Sequence, residues 1–388
     1  MHVVATAGHV DHGKSTLVRA LTGTDPDRLE EERRRGLSID LGYAWTTLPE
    51  VGEVAFVDVP GHERFVPTML AGVGPVPAVL LVAAADDAWM PQAAEHLAAL
   101  EAFGVRHAVV AVTRSDLAEP DRMLHRVAAE TNGTGLAGAE AVAVSGRTGA
   151  GLADLQRALV RMLGRLPTAD PHADVRLWVD RVFSVRGAGT VVTGTLPAGT
   201  VRVGDTLRHG TDRVRVRGVQ TLGREVDHAH GTARVALRLG RGVSADLRRG
   251  SALVTPDAWH DAEQVDVRVR GPSALPDRPV LHVGAAALGC HHRPLGDAIA
   301  RLTLERAVPL RVGDRVLLRD PGSARLWGAD VLDPAAPPIR RRGGARERAA
   351  QLQPTQSSPD LADELRRRRW AQAALLRRIG VPTEHRGG

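Results

Sequence analysis

Short apolar runs alternate with helical patterns over residues 1–168. Five runs are almost free of charge, as is typical of strands buried on both faces of a parallel sheet: HVVATAG, VAFVDVP, AVLLVAAA, HAVVAVT and AVAVS. Three stretches between them carry apolar residues at helical spacing: KSTLVRALTG, PQAAEHLAALEAFG and LADLQRALVRMLGRL. This alternation predicts a doubly wound α/β domain at 1–168.

From about residue 173 the pattern changes to short alternating strands separated by turns. One set comprises VRLWVDRVFSV, GTVVTGTL, RVRVRGV, ARVALRLG and SALVT, and a second comprises VDVRVRG, PVLHVGAAAL, AIARLTLE and DRVLLRD. This spacing predicts two small β-barrels, at 173–258 and 262–335.

A region rich in proline and arginine begins at about residue 336 and continues to 388. One or two short helices are expected in it, capped by Ser358 or Asp360, with too few apolar residues to bury a core of their own. We expect its arginines, between Arg340 and Arg348 and from Arg366 to Arg369, to form a solvated surface. Nonspecific contacts with RNA phosphates are the alternative.

Composition narrows the class of protein. A single cysteine, Cys290, excludes an intramolecular disulfide and favours a reducing, cytoplasmic setting. The net charge of +6 permits a polyanionic partner, whereas 3% aromatic residues disfavours a base-stacking surface. No apolar stretch has the length of a membrane span, and the first residues lack a signal-peptide pattern, so we expect no membrane association.

The stretch GHVDHGKS, residues 8–15, has the spacing of a phosphate-binding loop between a strand and a helix. Backbone N–H groups and the helix N-terminus make an anion nest, Lys14 reaches the β- and γ-phosphates, and Ser15 binds Mg²⁺. Lys14 is the only lysine among 51 basic residues, and a planar guanidinium fits such a cradle poorly. The predicted nucleotide-binding residues here are Gly8, His9, Val10, Asp11, His12, Gly13, Lys14, Ser15 and Thr16.

Further motifs complete a guanine-nucleotide site. The stretch DVPG places Asp58 near Mg²⁺ through a water, and Gly61 where its N–H senses the γ-phosphate, while RRRGLSID supplies Ser38 as a second hydroxyl for the metal. In TRSD, the carboxylate of Asp116 can accept hydrogen bonds from guanine N1 and N2, which adenine does not offer. The sequence therefore predicts GTP and GDP rather than ATP, with a base pocket made of Thr113, Arg114, Asp116, Ser145, Gly146 and Arg147.

These motifs resemble those of translational GTPases. The stretches RGLSIDLGYAW, MLAGVG, DDAWMPQAAEHL and DRVFSVRGAGTVVTGTL are most similar to the bacterial selenocysteine-specific elongation factors, over residues 1 to about 335. The resemblance implies an α/β P-loop GTPase domain, two β-barrel domains and a short, incomplete helical C-terminal segment.

It also implies the activity and the partners. A factor of this kind binds selenocysteinyl-tRNA with GTP, delivers it to the ribosome for UGA recoding and hydrolyses GTP, as a cytoplasmic monomer. Members of the family continue into winged-helix modules that bind an mRNA hairpin. We therefore expect hairpin binding only if such modules are supplied.

The resemblance assigns roles to single residues as well. His62 matches the histidine that orients the attacking water, and Val10 with Leu37 matches the apolar gate that keeps this histidine from the phosphates. Positions around the selenocysteine side chain are matched by Asp180, Arg181 and Arg234. Guanidinium groups there would favour an anionic selenol over serine; the alternative for these three residues is an ordinary salt bridge at the barrel rim.

Some features leave other functions open. The usual Asn-Lys-x-Asp of the base pocket is here Thr-Arg-Ser-Asp at 113–116, which weakens the expected guanine affinity, and Ser38 replaces a commoner threonine. A general or initiator tRNA-binding GTPase, a metabolic GTPase subunit of the sulfate-activation type and a nucleotide-binding remnant remain alternatives. The run Cys290-His291-His292 is predicted to be structural, because neighbours on a strand point to opposite faces.

Overall fold

The computed structural model describes residues 1–26, 38–187, 189–240, 242, 244–271 and 274–383. Within these ranges, the first part of the chain forms one six-stranded sheet flanked by helices. Its strands are β1 (His2–Ala7), β2 (Gly42–Leu48), β3 (Gly52–Asp58), β4 (Ala78–Ala84), β5 (His107–Thr113) and β6 (Glu140–Ala143). Its helices are α1 (Lys14–Thr22), α2 (Val66–Val73), α3 (Pro91–Phe103), α4 (Asp121–Thr131) and α5 (Leu152–Leu163), with 3₁₀ turns at Val10–His12 and Glu63–Phe65.

The sheet has the order β2-β3-β1-β4-β5-β6 and is covered on both faces. Strand β4 is buried along its whole length, and its successive residues belong to different cores. Leu81 lies in a cluster with side chains of α2, α3 and α4, whereas Leu80 lies in a cluster with side chains of α1 and α5. The predicted doubly wound α/β arrangement is therefore confirmed.

Two strands differ from the sequence prediction. Strand β2, which the apolar pattern did not reveal, pairs antiparallel to β3, so only the other five strands run parallel. The predicted buried strand AVAVS is only partly buried: Val144 and Ser145 are covered, whereas in β6 Ala141 is exposed and Val142 and Ala143 are half-buried. Both strands lie at an edge of the sheet, where one side has no neighbouring strand to cover it.

The next nine strands build the first barrel. They are β7 (Arg176–Val185), β8 (Gly189–Leu196), β9 (Thr200–Arg202), β10 (Thr206–His209), β11 (Asp212–Thr221), β12 (Arg224–Val226), β13 (His228–His230), β14 (Ala233–Leu239) and β15 (Ala252–Val254). Six of the described strands close a ring in the order β10-β15-β7-β8-β14-β11, because β11 pairs back with β10. Strand β12 extends this sheet, and β9 pairs with β13 in a separate ribbon.

The second barrel is also closed by six of the described strands, in the order β16-β19-β18-β17-β20-β21. They are β16 (His260–Arg270), β17 (Val280–Val283), β18 (Ala286–Pro294), β19 (Ile299–Leu310), β20 (Arg315–Arg319) and β21 (Leu326–Asp333). On β18, the buried Cys290 thiol contacts the carbonyl of Pro279 at 3.3 Å, and burial raises its pKa to about 12. His291 points to the exposed side, which agrees with a structural role for this run.

Three helices of the last region pack against the second barrel: α6 (Gly344–Leu352), α7 (Leu361–Arg368) and α8 (Ala373–Arg378). Asp360 caps α7 as predicted, because its carboxylate accepts a hydrogen bond from the N–H of Asp363 at 2.7 Å. In the described part of the chain, no helix combines the length and the apolar character needed to cross a membrane.

The prediction of a solvated arginine surface is wrong for three arginines of this region. Arg348 binds Asp266 at 2.8 Å and also binds Asp333, and the side chains of Arg367 and Arg368 lie against Asp333 as well. The two aspartates are fully buried on the barrel, so they need cations that the barrel alone does not supply in sufficient number. We call the following residues the C-terminal cluster: Asp266, Asp333, Glu364, Arg301, Arg348, Arg367 and Arg368.

Candidate nucleotide-binding site

A cavity of about 380 Å³ opens where β1, β3, β5 and β6 end. Ligand sites of open α/β sheets lie at this edge, because loops from several strands converge there. The cavity is lined by Val10, Asp11, Gly13, Lys14, Ser15, Thr16, Ser38, Gly61, Thr113, Arg114, Asp116, Leu117, Ser145, Gly146 and Arg147.

Most of the residues that the sequence predicts for a nucleotide site thus share one cavity. Five predicted residues do not line it: Gly8, His9, His12, Asp58 and His62. Leu117 lines the cavity and was not predicted; its signal was an apolar residue directly after the TRSD motif, and its side chain is exposed.

The loop from Gly8 to Gly13 depends on two glycines. Both have positive φ, 129° at Gly8 and 77° at Gly13, and a Cβ on Gly8 would collide with the carbonyl oxygen of Val82. The N–H of Gly8 donates to Nδ1 of His96, a buried residue of α3, at 2.9 Å. Burial, with a smaller contribution from Lys14, lowers the pKa of His96 to about 3, so its neutral ring accepts this bond.

His96 is therefore a positioning residue for the loop that sequence reasoning missed. The sequence showed only a histidine among the apolar residues of α3, and an ordinary buried histidine without a positioning role would give the same pattern.

Lys14 places the positive charge at the floor of the cavity. Its side chain is buried at the N-terminus of α1, and its Nζ donates to the carbonyls of Gly8 and His9 at 3.0 and 2.7 Å. The neighbouring His12 is also buried, and burial lowers its pKa to about 4, so it adds no charge at neutral pH. An ammonium and the free N–H groups of a helix N-terminus suit a phosphate group.

Hard oxygen donors meet beside Lys14. Oγ of Ser15 donates to Asp58 at 2.6 Å and lies 3.1 Å from Oγ of Ser38. The other carboxylate oxygen of Asp58 accepts a hydrogen bond from Thr6 at 2.6 Å. Two hydroxyls and one carboxylate fit Mg²⁺, which binds few protein oxygens and keeps water and phosphate as its other ligands.

The base end of the cavity is tied to the phosphate end. The hydroxyl of Thr113 donates to the carbonyl of His12 at 2.7 Å, and Arg114 bridges Asp86, at 3.2 Å, and the carbonyl of Asp11. Thr113 and Arg114, which stand where the usual motif has asparagine and lysine, therefore connect the base-binding loop to the phosphate-binding loop.

The acceptor for a base is Asp116. A hydrogen bond with Ser145 holds the pKa of this carboxyl below its usual value, and Nε of Arg147 lies 3.5 Å away. Asp116 is therefore ionised at neutral pH, as an acceptor for two guanine N–H groups must be.

His62 lies next to the cavity wall rather than in it. Its Nδ1 accepts a hydrogen bond from the N–H of Arg64 at 3.3 Å, and its ring contacts the ring of Phe65. Gly61 does line the cavity, and a Cβ there would lie 2.5 Å from the backbone nitrogen of Val10. The other half of the predicted gate, Leu37, lies outside the described residues.

A second set of predicted residues meets on the first barrel. A bulge in β7 falls at Asp180, which is buried and binds Arg234 of β14 with both carboxylate oxygens, one of them at 2.7 Å. Thr193 donates to the same carboxylate at 2.7 Å. Burial opposes the charge of Asp180, but Arg234, Thr193 and Arg249 together outweigh it and keep the pKa of Asp180 below its usual value.

Arg181 does not pair with its neighbour Asp180. It binds the carboxylate of Asp40 at 2.9 Å and the carbonyl of Leu41 at 3.1 Å. Arg249 binds the same carboxylate at 3.2 Å. The ring of Tyr43 lies 4.0 Å from the guanidinium carbon of Arg234 and 5.5 Å from that of Arg181. We call these residues the pocket cluster: Asp40, Tyr43, Asp180, Arg181, Arg234 and Arg249.

Comparisons with known proteins identify relatives of the chain. Residues 1–165 match the family model described as the elongation factor Tu GTP binding domain. The chain is 35% identical to the selenocysteine-specific elongation factor of Desulfomicrobium baculatum, over 90% of this chain and 58% of that protein. It is 31% identical to elongation factor Tu 2 of Streptomyces avermitilis, over 85% of this chain and 95% of that protein.

A solved structure shows the same architecture. A crystal structure of a bacterial selenocysteine-specific elongation factor superposes with a TM-score of 0.88 at 29% identity, covering 98% of this chain and 66% of that one. In sequence, the chain spans little more than half the length of the selenocysteine-specific elongation factor from Desulfomicrobium baculatum, 58%.

Proposed function

Because the chain belongs to the translational GTPase family of elongation factor Tu and the selenocysteine-specific elongation factors, we propose that it carries selenocysteinyl-tRNA to the ribosome in a GTP-dependent cycle. In this proposal residues 1–168 are the GTPase domain, and 173–258 and 262–335 are the two barrel domains. The factor acts as a monomer in the cytoplasm and hydrolyses GTP when the ribosome stimulates it.

The observation that carries the proposal is that one cavity brings together a buried ammonium, two hydroxyls and an ionised carboxylate in the order that a guanine nucleotide requires. Lys14 and the N-terminus of α1 would hold the phosphates, and Asp116 would accept guanine N1 and N2. Ser15, Ser38 and, through a water, Asp58 would hold Mg²⁺, which neutralises phosphate charge when bound. Gly61 would sense the γ-phosphate, and His62 would orient the attacking water once it turns toward the cavity.

The barrel residues supply the proposed specificity. A selenol is more acidic than a thiol and is anionic at neutral pH, whereas the serine hydroxyl is neutral. Arg181 and Arg234, with Asp180 holding Arg234 in place, offer guanidinium groups that would distinguish the two side chains.

Calorimetry with Mg²⁺ tests the nucleotide part. We expect GDP to bind and ADP to bind much more weakly, because only guanine offers two donors to Asp116. Asp116→Ala should weaken GDP binding at least about tenfold, since it removes charge-assisted hydrogen bonds. The exposed Asp121→Asn on α4 is the control and should leave GDP binding unchanged. Equal binding of ADP and GDP by the unaltered protein would contradict a GTPase.

Filter binding of the GTP-loaded protein tests the tRNA part. The two ligands are the selenocysteinyl and seryl forms of one tRNA, so only the aminoacyl side chain differs. We expect a clear preference for the selenocysteinyl form. Equal retention of both forms would point to general tRNA delivery, and retention of neither would exclude a carrier function.

A further inference from the structure

The pocket cluster contains an acidic residue that comes from the nucleotide side. Asp40 lies two residues after Ser38, whose hydroxyl lies 3.1 Å from Ser15 in the proposed Mg²⁺ site. The carboxylate of Asp40 contacts two barrel arginines, Arg181 at 2.9 Å and Arg249 at 3.2 Å. One short segment therefore contacts both the cavity and the barrel.

The two carboxylates of the cluster are held differently. Asp180 belongs to the barrel, its side chain is 3% exposed, and Arg234 and Thr193 hold it in place. Asp40 reaches across from the other domain, and its side chain is 33% exposed, like those of Arg181 at 35% and Arg249 at 34%. Water reaches the second pair, so its ions can exchange partners at a small cost, whereas separating Arg234 from Asp180 would leave a buried charge unpaired.

Resting on the proposed function, we propose that Asp40 is an internal competitor for the anionic aminoacyl side chain: it occupies Arg181 and Arg249, and a bound selenolate takes its place on Arg181. The exchange swaps one anion for another, so the net charge around the arginines is preserved. A neutral serine side chain offers no anion for this exchange. By competing, Asp40 limits the affinity for selenocysteinyl-tRNA and speeds its release.

The alternative role for Asp40 is to position Arg181 for the ligand, and the two roles predict opposite signs. In Asp40→Asn the side chain keeps its size and loses its charge. A competitor predicts that the affinity for selenocysteinyl-tRNA rises about fivefold, the size expected for a partly exposed ion pair, mainly through slower dissociation. Binding of seryl-tRNA should stay within about twofold.

A matched control crosses the same domain boundary. Glu53, near the beginning of β3, pairs with Arg224 of the barrel at 3.2 Å, outside the pocket cluster. Glu53→Gln should change neither affinity. A lower affinity of Asp40→Asn for selenocysteinyl-tRNA would overturn the competitor role in favour of positioning. Equal gains for both tRNA forms, or no change in either, would overturn it as well.

A second measurement needs no tRNA. Phenylglyoxal modifies free guanidinium groups, and mass spectrometry reads the rate at each arginine. We expect Arg181 to react about fivefold faster in Asp40→Asn than in the unaltered protein with GDP, whereas the exposed Arg202 reacts equally in both. If Arg181 reacts at the same rate in both proteins, Asp40 does not occupy it and the inference is wrong, even if the proposed function holds. If Arg181 is unmasked but no tRNA binds, the ion pair stands and the proposed function fails.

Discussion

The C-terminal cluster and the pocket cluster are both built on Asp–Arg pairs, and they differ in what surrounds these pairs. In the C-terminal cluster the carboxylates of Asp266, Asp333 and Glu364 are 0–2% exposed, and the arginines around them are themselves covered. In the pocket cluster the pair of Arg181 and Asp40 is about one third exposed and joins two domains.

The comparison indicates two features that distinguish a structural cluster from a candidate binding site. One is the domain that supplies each carboxylate, and the other is the exposed fraction of its side chain. In the C-terminal cluster, α6 and α7 bring Arg348, Arg367 and Arg368 onto a barrel that already contains Asp266 and Asp333, and the charges neutralise each other away from water. That arrangement holds the helices to the barrel. In the pocket cluster one carboxylate can leave without creating a buried charge, so another anion can replace it.

The largest effect is expected for Asp333→Ala. This change leaves Arg348, Arg367 and Arg368 without a shared carboxylate in a buried place, and should lower the free energy of unfolding by about 3–5 kcal/mol. Urea unfolding measures it, with GDP affinity as the check that the nucleotide cavity is intact. As a control, the exposed Asp154→Ala should lower the free energy of unfolding by no more than about 1 kcal/mol. A similarly small cost for Asp333→Ala would show that the cluster does not hold the helices.

Arg234→Ala should have the next largest effect on stability, about 3 kcal/mol, because Asp180 would remain buried with Thr193 as its main partner. The loss should appear in urea unfolding of the first barrel. Replacing the unpaired carboxylate as well, with Asp180→Asn in the same chain, removes the buried charge and should recover part of the stability. No recovery would mean that the packing of Arg234 on Tyr43, rather than its charge, is what matters.

The C-terminal cluster should make the free energy of unfolding of the unaltered protein fall at acid pH. Burial opposes the charge of Asp333, but Arg368, Arg348 and Arg367 outweigh it and hold its pKa below its usual value. A carboxyl with a depressed folded pKa stabilises the fold above the unfolded pKa of about 3.9, and this stability is lost as the pH falls through the folded value. Unfolding measured from pH 6 to pH 2 should therefore show a steeper acid loss in the unaltered protein than in Asp333→Asn. Parallel curves would contradict the assignment.

The smallest effect on stability is expected for Arg181→Ala. Its ion pair with Asp40 is partly exposed, so the free energy of unfolding should change by less than about 1 kcal/mol. The preference for selenocysteinyl over seryl-tRNA should nevertheless fall. Arg224→Ala, which breaks the ion pair with Glu53 at the same domain boundary, serves as the control. If both variants lose the preference equally, the domain boundary, rather than the pocket, controls tRNA binding.

The sequence by itself determined the order of the domains, the central strands and the phosphate loop. Nearly charge-free runs of strand length indicated strands covered on both faces, and β1, β3, β4 and β5 are largely buried. The spacing from Gly8 to Ser15, between an apolar run and a helical pattern, indicated a phosphate-binding loop. The single lysine of the chain, Lys14, marked the same place.

Only the tertiary structure decided which distant residues meet. His96 contacts Gly8 across 88 residues, Arg348 contacts Asp266 across 82, and Arg181 contacts Asp40 across 141. Local periodicity tells which face of an element is apolar, but it does not tell which polar residue of another domain will lie opposite. A buried charge takes whichever partner the packing of the domains places within reach, and that choice is made when the surfaces come together.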